Sequence, residues 1–350
     1  MLARRPDAEL TFVGSVGGFE RPLIDESGLQ FAQYAQVYAG PLHGVGIPRA
    51  LLSLVQLAVG TVQSLGLVLR RRPQSLLLTG GWVGLPVALA CWMLRVPSLI
   101  YLPDVEPGLT IRVLRHLVTR VATTTDDSKV YFRDGQTVTT GYPVRAALLT
   151  ATREAAIEHF ALDPARKTLL VFGGSRGARS INMALLGILR DLLADGIQII
   201  HVTGTLDWPQ FEAHANTLQA EQPDLAAHYH AFPYLHQDMA LALAGADLVI
   251  SRSGASVLGE FPLFGMPAIL VPYPHAWRYQ KVNAEYLVQR GAALMIEDQH
   301  MERDLLGTVR QLLGDSARLA HMRERASALA QPEGAWNVAR ELLRLAGETV

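Results

Sequence analysis

Two stretches of this 350-residue chain crowd small residues where an apolar run gives way to helix-like sequence. In "LLVFGGSRGARSIN" (169–182), Gly173, Gly174, Ser175 and Gly177 stand between an apparent strand and a helix. Glycines let the backbone turn tightly and approach a ligand, and a helix N-terminus offers unpaired N–H groups with partial positive charge. That is chemistry for a phosphate. The stretch is neither a Walker A loop nor a G-x-G-x-x-G fingerprint, and a purely structural turn is the alternative. "SRSGASVLGE" (251–260) repeats the device after "ADLVI". Here Ser253, Gly254, Ala255 and Ser256 read as a cap and a close-approach surface for a diphosphate. Glu260 is expected two turns on, about 9 Å along a helix that rises about 1.5 Å per residue. Its carboxylate can accept hydrogen bonds from two adjacent sugar hydroxyls; a solvated helical glutamate is the alternative. "GMPAILVPYPHAWRYQKVNAEYL" (265–287) then sets Pro272, Pro274, His275, Gln280 and Asn283 just past a strand, where open α/β sheets bind ligands.

The elements that must hold these residues are legible as alternation. "ELTFVGS", "SLLLTGG", "PSLIYLP", "TLLVFGG", "IQIIHVTG", "ADLVISRSG" and "PAILVPYP" are apolar runs separated by helix-length segments. Continuous apolar strands with intervening helices predict parallel sheets covered on both faces. The length fits two such domains. The boundary is expected in 146–166, giving domains at 1–147 and 148–332 and a terminal helix over 333–350. The first domain is unusual, since "MLARRPDAELTFVGS" reads as the tail of a helix followed by a strand. A doubly wound domain normally opens on a strand and a glycine-rich turn. The first strand, loop and helix are therefore expected to be absent, leaving neighbouring strands short of hydrogen-bond partners and this domain the less stable.

Charge and cysteine usage narrow the function. The net charge of −1 argues against a nucleic-acid binder. Residues 1–148 carry 14 Lys and Arg against 10 Asp and Glu, a mildly basic half that suits an anionic membrane surface or simply a solvated face. The single cysteine, Cys91, allows no disulfide within the chain, which fits a reducing cytoplasm. No signal peptide is expected from "MLARRPDAELTF". "ALLSLVQLAVGTVQSLGLVLRRR" carries Ser53, Gln56, Gly60 and Gln63 at helical spacing, so it reads as a helix with a polar stripe. It is expected to be buried in the protein, with a membrane-resting helix as the alternative; its glutamines argue against a transmembrane span.

Taken together, "GGSRGARSIN", "DMALALAGADLVISRSGASVLGE", "GMPAILVPYPHA", the "Q..NA" at 280–284, "GYPVR" (141–145) and "LTGGWVGLP" (78–86) resemble the lipid II-forming N-acetylglucosaminyltransferases of glycosyltransferase family 28, the MurG type. The resemblance covers most of the chain and is most specific in the second half. It implies an α/β GT-B fold, two Rossmann-like parallel-sheet domains with the active site in a cleft, and a C-terminal helix ("AWNVARELLRLAG") crossing back to the first. It also implies donor-site roles. Gly174, Ser175 and Arg145 would serve the donor diphosphate, and Ala255 and Ser256 would line the nucleotide. Glu260 would hold the ribose 2′ and 3′ hydroxyls, Gln280 would lie near the donor sugar, and Leu235 and Met239 would fall at the uracil pocket. The turn of Gly80, Gly81 and Trp82 is expected on the acceptor side.

Departures gather in the acceptor half. The family's "GGTGGH"-like loop has no counterpart in this sequence, and its "HEQN" segment is replaced by "YLPDVEPG" (101–108). Leu102 thus stands at the glutamate position and Asp104 near the asparagine. Tyr279 replaces the usual His or Gln, and a basic membrane-side loop becomes "GPLHGVG". A sugar transfer to a hydroxyl wants a general base, and Asp104 and Glu106 are the carboxylates in the replaced segment, with turn formation as the alternative role. The resemblance implies an inverting transfer of N-acetylglucosamine from a UDP donor, a substrate rather than a cofactor, to a lipid-linked acceptor at the cytoplasmic membrane face. No metal is expected, since backbone N–H groups and Arg145 can cover the diphosphate and no Asp-x-Asp pair is present. A family 28 transferase with another lipid acceptor, such as a diacylglycerol, and a non-catalytic UDP-sugar-binding homologue are the alternatives. An NAD enzyme is disfavoured because G-x-G-x-x-G is missing.

Overall fold

A computed structural model describes residues 5–349 apart from 19, 27, 175, 176, 276 and 277. Among the described residues twelve strands are formed: β1 (Thr11–Ser15), β2 (Gln33–Val37), β3 (Leu76–Leu78), β4 (Ser98–Leu102), β5 (Arg120–Thr123), β6 (Thr137–Thr139), β7 (Thr168–Phe172), β8 (Gln198–Val202), β9 (Tyr229–Phe232), β10 (Leu248–Ser251), β11 (Ala268–Leu270) and β12 (Ala293–Met295). Every pairing is parallel. The seven apolar runs expected to be strands all are. The chain divides into two compact units. One comprises 1–103, 107–140 and 333–350, and the other 104–106 and 141–332.

The second unit is a six-stranded sheet in the order β12-β11-β10-β7-β8-β9. β7, β8 and β10 are apolar almost throughout and buried, as a parallel sheet covered on both faces requires. One core cluster lies around Leu170, Val249, Val257 and Phe261, and another around Leu169, Ile181, Ile199 and Val309. The sequence places the domain boundary at 147/148, but the chain changes unit at 140/141. The difference has a packing cause: Tyr142 lies against Gly259 and Val144 packs on the first of these clusters, so the chain has already joined the second unit before 147.

The first unit holds two sheets, β1-β2 and β3-β4-β5-β6. Among the described residues β1 pairs only with β2, and β3 only with β4. Residues 333–350 belong to this unit, and the helix Gly334–Leu345 packs on β4. Its buried Glu341 pairs with Arg120 at 3.0 Å, and Asn337 Nδ2 donates to the Thr140 carbonyl.

The helix Ile47–Arg71 departs from expectation. Its buried residues are Ser53, Leu57, Gly60, Ser64 and Val68, whereas Ile47, Leu51, Val55, Val62 and Leu69 are exposed, Ile47 by 78%. The small and polar stripe faces inward because the chain at Tyr38 presses on it. A Cβ at Gly60 would lie 1.9 Å from the Tyr38 carbonyl oxygen, and Gln63 Oε1 accepts from the Tyr38 N–H. The helix is therefore packed by its polar side and shows its apolar side outward, not buried as the sequence reading has it. It is long and apolar enough to cross a membrane by length and composition.

Buried side-chain atoms without a hydrogen-bond partner concentrate in this unit: Tyr34 Oη, Ser53 Oγ, Gln56 Oε1, Ser64 Oγ and Arg120 Nε. Unpaired buried polar atoms cost about 1–3 kcal/mol each, and a two-stranded sheet is marginal alone. Hydrogen exchange should therefore release the amides of β1, β2 and β3 well before those of β7 and β10. Equal protection in both sets would contradict this ordering.

Candidate functional site

The two glycine turns lie at the carboxyl ends of adjacent strands, β7 and β10. After β7, Gly173 and Gly177 leave no room for a side chain. A Cβ on Gly173 would lie 2.2 Å from the Ala178 nitrogen, and one on Gly177, whose φ is 77°, would lie 2.4 Å from the Thr203 carbonyl oxygen. The turn feeds the helix Arg179–Ala194. Gly174 is exposed, as a ligand-facing position requires. Ser175 lies outside the described residues.

A buried network not foreseen from sequence anchors this turn. Asn182 Nδ2 donates to the Thr203 carbonyl at 2.7 Å and to Asp207 at 2.9 Å, and Arg179 pairs with Asp207. Asn182 Oδ1 lies 3.1 Å from His201 Nε2, and His201 Nδ1 lies 2.8 Å from the Tyr229 hydroxyl. Burial pushes the His201 imidazole down to about 3, so it is neutral and its two nitrogens hold one donor and one acceptor role. The signal in the sequence was a histidine in the apolar strand "IQIIHV".

The second turn is built differently from its reading as a cap. The helix is short, Val257–Leu263, and Glu260 sits in its first turn rather than two turns on. Ser253 does not cap it: its hydroxyl donates to the Gln280 carbonyl at 2.7 Å. Ser256 stands at the N-cap position without a capping bond, and its hydroxyl bonds the Glu260 carboxylate instead. Burial raises the Glu260 pKa, while the Arg145 charge and the Ser256 bond oppose the rise. Arg145 is exposed and reaches the His236 carbonyl at 3.3 Å.

Tyr142, missed in the sequence, lies against this helix, where a Cβ on Gly259 would come within 2.4 Å of its own Cβ. Burial raises its hydroxyl pKa, the Glu260 and Asp104 charges add to the rise, and Arg145 opposes it. Arg145, Ser256, Glu260, Tyr142 and Asp104 thus form one electrostatic neighbourhood in the second unit. Ala255 is half-buried in the same turn. Leu235 is buried in the core cluster with Val257, and Met239 packs against that cluster. Gln280 Oε1 accepts from the Tyr273 N–H at 2.8 Å, tying Tyr273 to the start of the helix Tyr279–Gln289.

The replaced segment is split. Leu102 is fully buried in the first unit's core and has no acid–base chemistry to offer. Asp104, Val105 and Glu106 belong to the second unit. Glu106 is buried and ion-paired to Arg278 at 2.7 Å. Asp104 accepts from Asn283 Nδ2 at 2.8 Å, and burial raises its pKa while that bond opposes the rise. Gly80, Gly81 and Trp82 belong to the first unit, in the turn after β3, with both glycines at positive φ.

The match to known families agrees with this layout. Residues 2–123 match the glycosyltransferase family 28 N-terminal domain, and residues 168–338 the glycosyltransferase family 28 C-terminal domain. The chain belongs to glycosyltransferase family 28. It is 39% identical over 376 aligned positions to a "UDP-N-acetylglucosamine--N-acetylmuramyl-(pentapeptide) pyrophosphoryl-undecaprenol N-acetylglucosamine transferase" of Roseiflexus sp. (strain RS-1), covering 97% of this chain and 84% of that protein. It is 36% identical to the protein of the same name from Desulforudis audaxviator (strain MP104C), covering 99% and 92%. MurG of Acinetobacter baumannii shares the fold with a TM-score of 0.75 at 22% identity, over 97% of this chain and 92% of that one. A UDP-N-acetylglucosamine 2-epimerase does so with a TM-score of 0.69 at 13% identity, over 99% and 90%. The fold is α/β of the GT-B class, with two Rossmann-like parallel-sheet domains.

Because Gly177 combines a positive φ with contact to a backbone oxygen, Gly177→Ala should destabilise the second unit by about 2 kcal/mol or more. A thermal melt resolving the two units checks this, and an unchanged midpoint would contradict the close approach.

Proposed function

We propose that this chain transfers N-acetylglucosamine from UDP-N-acetylglucosamine to a lipid-linked N-acetylmuramyl-pentapeptide pyrophosphate, converting lipid I to lipid II at the cytoplasmic face of the membrane. The observation that carries the reading is the gathering of Arg145, Ser256, Glu260 and Asp104 in one neighbourhood beside the paired glycine turns. The names of relatives 39% and 36% identical supply the substrates.

In this reading the turns after β7 and β10 take the donor diphosphate, Gly174 by close approach and Ala255 and Ser256 along the nucleotide, with Ser175 serving the same diphosphate as the family resemblance implies. Arg145 neutralises the charge that builds as UDP departs. Glu260 accepts hydrogen bonds from the two ribose hydroxyls, Leu235 and Met239 form the wall beside the uracil, and Gln280 stands near the sugar. Gly80, Gly81 and Trp82 meet the acceptor from the first unit. The acceptor hydroxyl oxygen attacks the anomeric carbon, the bond from that carbon to the diphosphate oxygen breaks, and its electron pair leaves with UDP. The hydroxyl proton passes to Asp104, whose raised pKa suits a base better than an ordinary carboxylate. Glu106, already paired with Arg278, does not take this role. The diphosphate is covered without a metal ion or cofactor.

The outward apolar side of the helix Ile47–Arg71 is the membrane contact. Scattered exposed apolar residues are ordinary, but a continuous helical face of Ile47, Leu51, Val55, Val62 and Leu69 is not. Arg49 near its start and Arg70, Arg71 and Arg72 at its end supply charge for anionic headgroups.

Calorimetric titration should find UDP-N-acetylglucosamine binding at least tenfold tighter to the native chain than to Glu260→Ala. Since only the ionised carboxylate accepts from both hydroxyls, affinity should fall as pH drops through a Glu260 pKa above the ordinary value. Glu260→Gln should lose that pH dependence. No binding by the folded native chain would overturn the donor reading. Separately, Val55→Glu with Val62→Glu should release the protein from vesicles containing phosphatidylglycerol without changing donor affinity. Retention on the vesicles would remove this helix as the membrane contact.

A further inference from the structure

The side chain of Asn283 is fully buried, and both its polar atoms are engaged: its two N–H groups donate and its oxygen accepts. Its Oδ1 accepts from the Val105 N–H at 3.1 Å, and its Nδ2 donates to the Asp104 carboxylate at 2.8 Å and to the Ser253 carbonyl at 3.2 Å. The orientation is determined by these partners, because the flipped amide would set N–H against N–H at Val105 and oxygen against oxygen at both other contacts. Ser253 is held a second time, through its own hydroxyl, by the carbonyl of Gln280 on the same helix as Asn283. One amide therefore joins the turn after β10 to a segment that lies 179 residues from the amide itself in the chain.

We propose that Asn283 is a positioning residue for the transfer: it fixes the Asp104 carboxylate relative to the donor turn so that the second carboxylate oxygen receives the acceptor proton. The inference rests on the reading of Asp104 as the base. A carboxylate on a short loop has two free torsions, and a general base displaced by about 1 Å loses about a hundredfold in rate. Donation to one oxygen removes that freedom. It also favours the ionised form, which is the form a base needs, against the burial that disfavours it. Burial and the Asn283 bond are what shift Asp104; the charged groups nearby are Glu260 and Arg145, which act together with Asp104 on Tyr142, and Glu106, two residues on and paired with Arg278. All of these stay in place when Asn283 alone is changed.

The test compares pH profiles of kcat/KM for the full-length native protein, Asn283→Leu, Asn283→Asp and Asp104→Asn, together with donor affinity and thermal midpoint. Loss of the donated bond raises the Asp104 pKa, so in Asn283→Leu the acid limb should move to higher pH and kcat at neutral pH should fall about tenfold to a hundredfold. Donor affinity should stay within about threefold, a tolerance of about 0.6 kcal/mol. Asn283→Asp keeps the size of the side chain, should the leucine cost the fold, and sets a second carboxylate beside Asp104, so its limb should move further in the same direction. Asp104→Asn should abolish turnover while retaining donor affinity. An acid limb unmoved in both Asn283 variants, with turnover lost in Asp104→Asn, overturns the positioning role alone. Turnover with a native acid limb in Asp104→Asn overturns the base assignment and the inference with it.

Discussion

The second unit depends on one buried amide. Asn283 binds a carboxylate, a backbone N–H and a backbone carbonyl that come from three separate stretches of chain. It holds the 104–106 segment to this unit alongside the Glu106–Arg278 pair and the burial of Val105. A buried polar group is tolerated when its polar atoms find partners, and both polar atoms of this amide do. The consequence reaches the chemistry: the carboxylate proposed as base and the turn proposed for the diphosphate share a single anchor. The turn keeps a second hold through the Ser253 hydroxyl on the Gln280 carbonyl, so the carboxylate is the partner that depends more on the amide.

The first unit is governed by a different constraint. The chain at Tyr38 lies so close to the helix Ile47–Arg71 that only Gly60 can meet it, and this forces the serine-bearing side of the helix inward. The apolar residues are then left outside, against the usual sense of an amphipathic helix in water. At about 25 cal/mol per Å² of apolar surface, leaving such a face in water forgoes several kcal/mol of burial energy. A membrane surface recovers that energy. A lipid-linked acceptor gives the same face a reason to exist.

Much of this was legible in the sequence. Continuous apolar strands such as "TLLVF" and "ADLVI" announce a covered parallel sheet, and the glycines after them mark close approach. β2, β5, β6, β9 and β12 were not read, because "QYAQV" and "TVT" are short and partly polar and carry no strong period. The polar stripe of the helix Ile47–Arg71 was visible, but not which side the protein would claim, since Tyr38 enters from outside the helix. Ser253 was read as a cap and Glu260 as two turns along a helix, whereas Ser253 bonds Gln280 and Glu260 lies in the first turn of a helix that begins at Val257. Tyr142 and the Asn182–His201–Tyr229 network escaped notice, because their partners are distant in sequence and local pattern carries no trace of them. The same distance hid the bond between Asn283 and Asp104.

The central claim is a sugar transfer from a nucleotide donor to a lipid-linked acceptor, and following the sugar itself tests it most directly. The protein would be incubated with UDP-N-acetylglucosamine labelled in the sugar and with lipid-linked muramyl-pentapeptide in anionic vesicles. The account predicts label in the lipid fraction, joined by a β linkage, with stoichiometric release of UDP. Donor that binds but yields neither labelled lipid nor UDP in excess of a no-enzyme control would contradict it.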